Sequence, residues 1–194
     1  MKAFLLALLL LAPGEAKPLQ IVTRQEWGSK PQALGEELRH QPDRVVLHHA
    51  GVVWKESDEA LKKIRGLQSW GQREKGWPDL PYHFLIAPDG TVYEGRPLEF
   101  RPESNTDYDL EGVVNVHLWG HLDEQSVWPA QLEATVRLLA SLPYEDVSAH
   151  RLEAPGQTTC PGNHLMKYLE SGLLEKWVEQ LRNGIEPDWQ EARE

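Results

Sequence analysis

The period of the apolar positions changes several times along the chain, and each change marks a predicted element. Asp43 to Gly51 holds the run Val45-Val46-Leu47-His48-His49 closed by glycine, the pattern of a central strand buried on both faces. Alternation sets His48 with Val46 on one face and His49 with Leu47 on the other, so one of the two at most binds a given ion directly. Upstream, Thr23 with Glu26 three residues later forms a capping box for a short helical turn, and Pro31 to Pro42 reads as an irregular connection with Leu34 and Leu38 on one short helix. Downstream, Ser57-Asp58-Glu59 opens a helix whose stripe Leu61, Ile64, Leu67 ends near Gly71 or Gly76. Trp77-Pro78-Asp79 turns into a buried strand from Leu80 to Ala87, and Pro88-Asp89-Gly90 is a hairpin turn to a returning strand from Thr91 to Arg96.

Pro97 to Asp109 has no period and is read as a loop, with function and disorder as the two readings of a loop this long. From Gly112 to Gly120 the alternation returns, with Asn115, His117 and Trp119 on one face against Val114, Val116 and Leu118 on the other. Pro129 opens a helix with Leu132, Val136, Leu139 and Leu142 inward. Asn163 is expected to cap a single last helix carrying Leu165, Leu169, Leu173, Trp177 and Leu181, ended by Gly184. Strands alternating with amphipathic helices, plus one tight hairpin, predict an α/β fold: a single domain with a central mixed β-sheet flanked by helices, over residues 17–184. Residues 185–194 form a charged tail without an apolar face, expected to be disordered.

Residues 1–16 carry one positive charge, an apolar run and a small residue at Ala16, the plan of a secretory signal peptide. The run is too short for a membrane span, so the expectation is an exported protein without a membrane anchor, periplasmic or extracellular. The net charge of -10 disfavours nucleic acid and anionic lipid as partners, because both would repel an acidic surface.

That compartment changes the meaning of Cys160, the single cysteine of the chain. A lone cysteine is ordinarily a small buried hydrophobe, but under oxidising conditions an unpaired thiol is a liability unless something occupies it. Metal ligation would do so. Cys160 and His150, ten residues apart with Pro155-Gly156 between them, offer the thiolate and imidazole that Zn²⁺ accepts readily. A catalytic zinc usually takes a third protein ligand and keeps a fourth position open, and His48 is the best candidate for the third.

Several segments together carry a resemblance. They are Thr23-Arg24-Gln25-Glu26-Trp27-Gly28, Val46-Leu47-His48-His49, Gly76 to Ile86 with Asp89-Gly90 and Glu94-Gly95-Arg96, and His150 with Thr158-Thr159-Cys160-Pro161-Gly162. In this order and spacing the chain resembles zinc-dependent N-acetylmuramoyl-L-alanine amidases of the type shared with peptidoglycan recognition proteins and phage amidases. The resemblance implies one Zn²⁺ per chain on His48, His150 and Cys160, and oxyanion donors at Tyr82 and Thr158. It also implies hydrolysis of the amide between N-acetylmuramic acid and L-alanine in peptidoglycan or a muropeptide. Some related amidases have a glutamate base at the position of His117, which makes His117 a candidate base; a structurally bonded strand histidine is the plainer reading. His49 and Trp77 are expected to line the substrate groove, although a buried tryptophan is the commoner fate. Non-catalytic recognition members lack the cysteine ligand, which this chain retains. The disulfide common in animal members is missing, which fits a bacterial protein, and a monomer is expected. The alternatives are a module that binds peptidoglycan without cutting it and a zinc peptidase acting on the stem peptide.

Overall fold

The structure, a computed structural model, describes residues 19–144 and 146–193, so the expected signal peptide lies outside the described residues. Six strands form one sheet: β1 (Ile21–Val22), β2 (Arg44–His49), β3 (Phe84–Ile86), β4 (Val92–Glu94), β5 (Val113–Leu118) and β6 (Asp146–Ala149), in the order β1-β4-β3-β5-β2-β6. Only the β3–β4 pair, joined by the Pro88-Asp89-Gly90 turn, is antiparallel, so the sheet is mixed as expected.

The described residues also form α1 (Arg24–Trp27), α2 (Ala60–Trp70), α3 (Pro129–Ser141), α4 (His150–Glu153), α5 (Asn163–Glu170) and α6 (Leu173–Arg182). On one face, Val45, Leu47, Val114, Val116 and Leu118 pack against Leu132, Val136 and Leu139 of α3 and Trp177 and Val178 of α6. On the other, α2 lays Ile64 against Leu85, Tyr93, Trp119 and Trp27. The polar row predicted for β5 and the His48 face of β2 share this second side.

Several local expectations are corrected. The strand read from Leu80 to Ala87 shortens to Phe84–Ile86, because the approach to it is taken up by a side-chain network. The last helix is two: Gly172 adopts φ 72°, a left-handed conformation that breaks the helix between Glu170 and Leu173. Asn163 does not cap α5; the carboxylate of Asp123 does so instead, accepting from the Asn163 amide at 2.8 Å. Helix α2 begins at Ala60 rather than at Ser57 and leaves Leu61 40% exposed, and of Leu34 and Leu38 only Leu38 lies in the 3-10 turn Glu36–Leu38. The capping box of Thr23 and Glu26 is present.

The tail is not a free one. Trp189–Arg193 forms a 3-10 turn, and the Trp189 ring sits 5.4 Å from Trp177 with the Arg137 guanidinium 5.5 Å from its centroid.

Candidate metal centre

His48 is the last residue but one of β2, the strand held between β5 and β6, His150 opens α4 directly after β6, and Cys160 follows on the loop before α5. Parallel pairing of β2 with β6 therefore brings residues a hundred positions apart to one place. One potential ligand atom from each of His48, His150 and Cys160 lies within 4.8 Å of the others.

Each ligand is held by a partner. The Nε2–H of His48 donates to Asn115 Oδ1 at 2.9 Å, and the orientation of that amide is set because its Nδ2 donates to the Pro81 carbonyl at 3.2 Å. Nδ1 of His48 is then the nitrogen that faces Cys160, 3.7 Å from Sγ. Two ligands held at about 2.1 and 2.3 Å from one tetrahedral ion would sit about 3.5 Å apart, so this spacing fits zinc. His150 is steadied through Nε2 by Thr106 Oγ1 at 2.5 Å, with the Tyr108 ring 5.4 Å away. The sulfur of Cys160 accepts from the His49 amide at 3.3 Å. Gly162 lets the loop close, since a Cβ there would lie 2.4 Å from the Leu122 carbonyl carbon.

Burial sets the charge states. It drives His48 well below the usual imidazole range, helped by the neighbouring His150, and takes His150 to about 4. It pushes the Cys160 thiol up to about 12. Two neutral imidazoles and a buried sulfur are the donor set of a borderline-soft cation, and the chemistry of the site fits Zn²⁺.

Tyr82 stands beside this cluster, its ring 5.2 Å from His48 and 4.4 Å from His117. Its backbone is fixed by the end of β4: the Arg96 amide donates to the Tyr82 carbonyl at 2.8 Å, and a Cβ on Gly95 would come within 2.1 Å of that oxygen. Burial raises the Tyr82 hydroxyl above its ordinary value, so it stays a donor. Thr158 Oγ1 accepts from the Cys160 amide at 3.0 Å, which leaves its hydroxyl proton free for another partner.

The remaining expected residues divide. His117 lies on the floor beside Tyr82, 2% exposed. His49 is turned to a structural task, its Nδ1 accepting from the Leu122 amide at 3.0 Å, and burial takes it to about 4. Trp77 packs over Gly71 and edge-on to Trp70 at 5.9 Å, and among the described residues no contact joins it to the cluster. Sequence reasoning missed Asn115, Thr106 and Tyr108 as partners of the ligands; the polar row on β5 was the signal for the first.

The comparisons with known proteins bear on the family and the fold. The family described as N-acetylmuramoyl-L-alanine amidase matches residues 38–163. Peptidoglycan recognition protein 1 of Bos taurus is 31% identical over 173 residues, covering 84% of this chain and 90% of the relative. Among solved structures, the ectodomain complex of peptidoglycan recognition proteins LCa and LCx bound to tracheal cytotoxin aligns with a TM-score of 0.67 at 28% identity, over 77% of this chain and 94% of that one. The N-acetylmuramoyl-L-alanine amidase LysC of Clostridium intestinale shares the fold, with a TM-score of 0.61 at 23% identity over 79% and 96% of the two chains. A mixed six-stranded sheet, a His-His-Cys cluster and these matches have one reading: the chain belongs to the N-acetylmuramoyl-L-alanine amidase family that includes the peptidoglycan recognition proteins.

Proposed function

We propose that the protein is a zinc-dependent amidase that cleaves the bond between N-acetylmuramic acid and L-alanine in peptidoglycan or its fragments, after export from a bacterial cell. The observation that carries the reading is the complete ligand set His48, His150 and Cys160 beside a buried tyrosine. Export is supported by the sequence of residues 1–16, and among the described residues no helix is long and apolar enough to cross a membrane.

The ion, when bound, supplies Lewis acidity that activates water and polarises the scissile carbonyl. The chain supplies the rest. Asn115 and Thr106 hold the ligand imidazoles in orientation, a second layer whose loss typically costs ten- to a hundredfold in metal affinity. Tyr82, kept protonated, donates to negative charge developing on the substrate oxygen, and Thr158 offers a second, uncharged donor. His117 is poorly suited to the role of base, because burial takes it to about 3 and a base that weak draws protons poorly at neutral pH.

The matching relatives include recognition proteins, which favours a second reading, binding without hydrolysis. Digesting purified peptidoglycan with the zinc-loaded protein separates them. New L-alanine amino groups without new reducing sugars are expected. Retention on peptidoglycan with no products would establish the recognition reading, and cleavage inside the stem peptide would establish a peptidase.

A further inference from the structure

Asn115 and Thr106 hold the two ligand imidazoles, whereas Cys160 Sγ takes one amide and the rest of its hold lies in the chain around it. Cys160 sits between Thr159 and Asn163, and Asp123, on the loop that follows β5, reaches both flanks. Its Oδ1 accepts from the Asn163 amide at 2.8 Å, and its Oδ2 accepts from the Thr159 hydroxyl at 3.2 Å. Arg151, one residue past His150, grips the same stretch from α4. Its amide donates to the Cys160 carbonyl at 2.8 Å, and its guanidinium donates to the Thr159 carbonyl and, at 2.9 Å, to Asn163 Oδ1. The guanidinium of Arg151 and the carboxylate of Asp123 approach to 3.8 Å. The loop bearing Asp123 is itself anchored: the Leu122 amide donates to His49 Nδ1 at 3.0 Å, and the Leu122 carbonyl accepts from the His164 amide at 2.9 Å.

Capping α5 accounts for the Asn163 contact but not for the others. A cap needs one carboxylate oxygen; the second oxygen of Asp123 is taken by the residue before the cysteine, and Arg151 ties that same residue to the helix that carries His150. None of these bonds uses Nδ1 of His48, a ring nitrogen of His150 or Cys160 Sγ, so the clamp and an ion do not compete for atoms. We propose that Asp123 is a positioning residue of the metal centre: with Arg151 it fixes the Cys160 segment against α4, so that the thiol and the His150 ring are presented together. Metal affinity depends on this, because the apparent dissociation constant rises in inverse proportion to the fraction of molecules whose ligands are already in place. A segment released from Asp123 divides its time between competent and open arrangements, and binding must then order it. The proposal rests on the zinc reading above.

The test measures Zn²⁺ affinity by competition with a chelator for the parent, Asp123→Ala, Asp123→Asn and Cys160→Ala, with the thermal midpoint of each metal-free protein recorded. Asp123→Ala is expected to bind zinc at least about tenfold more weakly than the parent while its metal-free form stays folded. In Asp123→Asn the amide oxygen still accepts from Asn163 and the amide nitrogen can donate to the Thr159 hydroxyl, so affinity is expected within about threefold of the parent. An Asn variant as weak as the Ala one also supports the role and assigns it to the charge facing Arg151. An Asp123→Ala protein that folds and binds zinc as tightly as the parent overturns the proposal and leaves Asp123 a helix cap. Should Asp123→Ala fail to fold, Thr159→Val decides: losing that hydroxyl is expected to weaken zinc binding at least about threefold, and parental affinity overturns the proposal. Cys160→Ala keeps the two readings apart, because a parent that binds zinc no better than Cys160→Ala sinks the cluster as a zinc site and the proposal with it.

Discussion

The two ring nitrogens of His48 have separate duties, and that division orients the site. Nε2–H is spent on Asn115, so Nδ1 is the nitrogen left to face Cys160, and the ring is neutral at neutral pH. Tyr82 has its ring fixed beside His48 and His117, and the proposed amidase reading gives its hydroxyl the task of donating to the substrate. Tyr82→Phe should therefore keep its zinc, its thermal midpoint and its affinity for peptidoglycan, while single-turnover hydrolysis slows by about a hundredfold or more. Hydrolysis at the parent rate would remove Tyr82 from the chemistry. The cluster of His48, His150 and Cys160 was legible in the sequence because a single thiol behind a signal-like N-terminus has few uses, and the family motifs pointed to the same three residues. Asn115 was visible only as one member of a polar row, since its duty depends on the parallel register that sets His48 beside β5. Thr106 and Tyr108 come from a segment without period, and nothing in their spacing announces a contact with His150.

Among the elements, the long periodic segments were the legible ones: β2, β5 and α3 lie where their patterns put them. The elements missed or misread have separate causes. β1 and β6 are two and four residues long, too short for a period to show, and the apolar stripe running from α5 into α6 continues through Gly172 although the backbone does not. The segment before β3 reads as strand but is governed by charge. Asp79, fully buried, accepts from Arg24 at 2.7 Å, Gln68 at 2.7 Å and the Leu80 amide at 2.8 Å, tying α1 and α2 to the chain that carries Tyr82. Replacing it removes the shared acceptor and, among the described residues, leaves Arg24 only the Gly95 carbonyl and Gln68 Nε2 only the Ser29 hydroxyl. Asp79→Ala is expected to lower stability by about 2–3 kcal/mol, toward the lower end for a broken buried pair because Arg24 keeps some contact with water. Urea unfolding of the two proteins measures this, and a change under about 0.5 kcal/mol would show that the network is dispensable.

At the scale of the molecule, burial has prepared the cluster in an uneven state: two imidazoles already without their protons, and one thiol at about 12 that still has its own. Loading with zinc at pH 7 should then release about one proton per ion, from Cys160, because both histidine pKa values lie below that pH and the thiol's lies above it. Titration calorimetry in buffers of different ionisation enthalpy counts the protons; zero would mean that Cys160 is not a ligand, and a count above two, more than the thiol and one zinc-bound water can supply, would mean that the histidines are charged in the metal-free protein. The same ligand set has a consequence in polymer terms. His48 and Cys160 are 112 positions apart in a chain that has a single cysteine, and so has no intrachain disulfide to close any loop. An ion gripped at both ends ties off more than half of the polypeptide, a constraint on the unfolded chain that for a covalent link of similar span is worth roughly 4–5 kcal/mol. The metal would then be a structural fastener as well as a reagent, joining the first strand of the sheet's centre to the chain beyond its last.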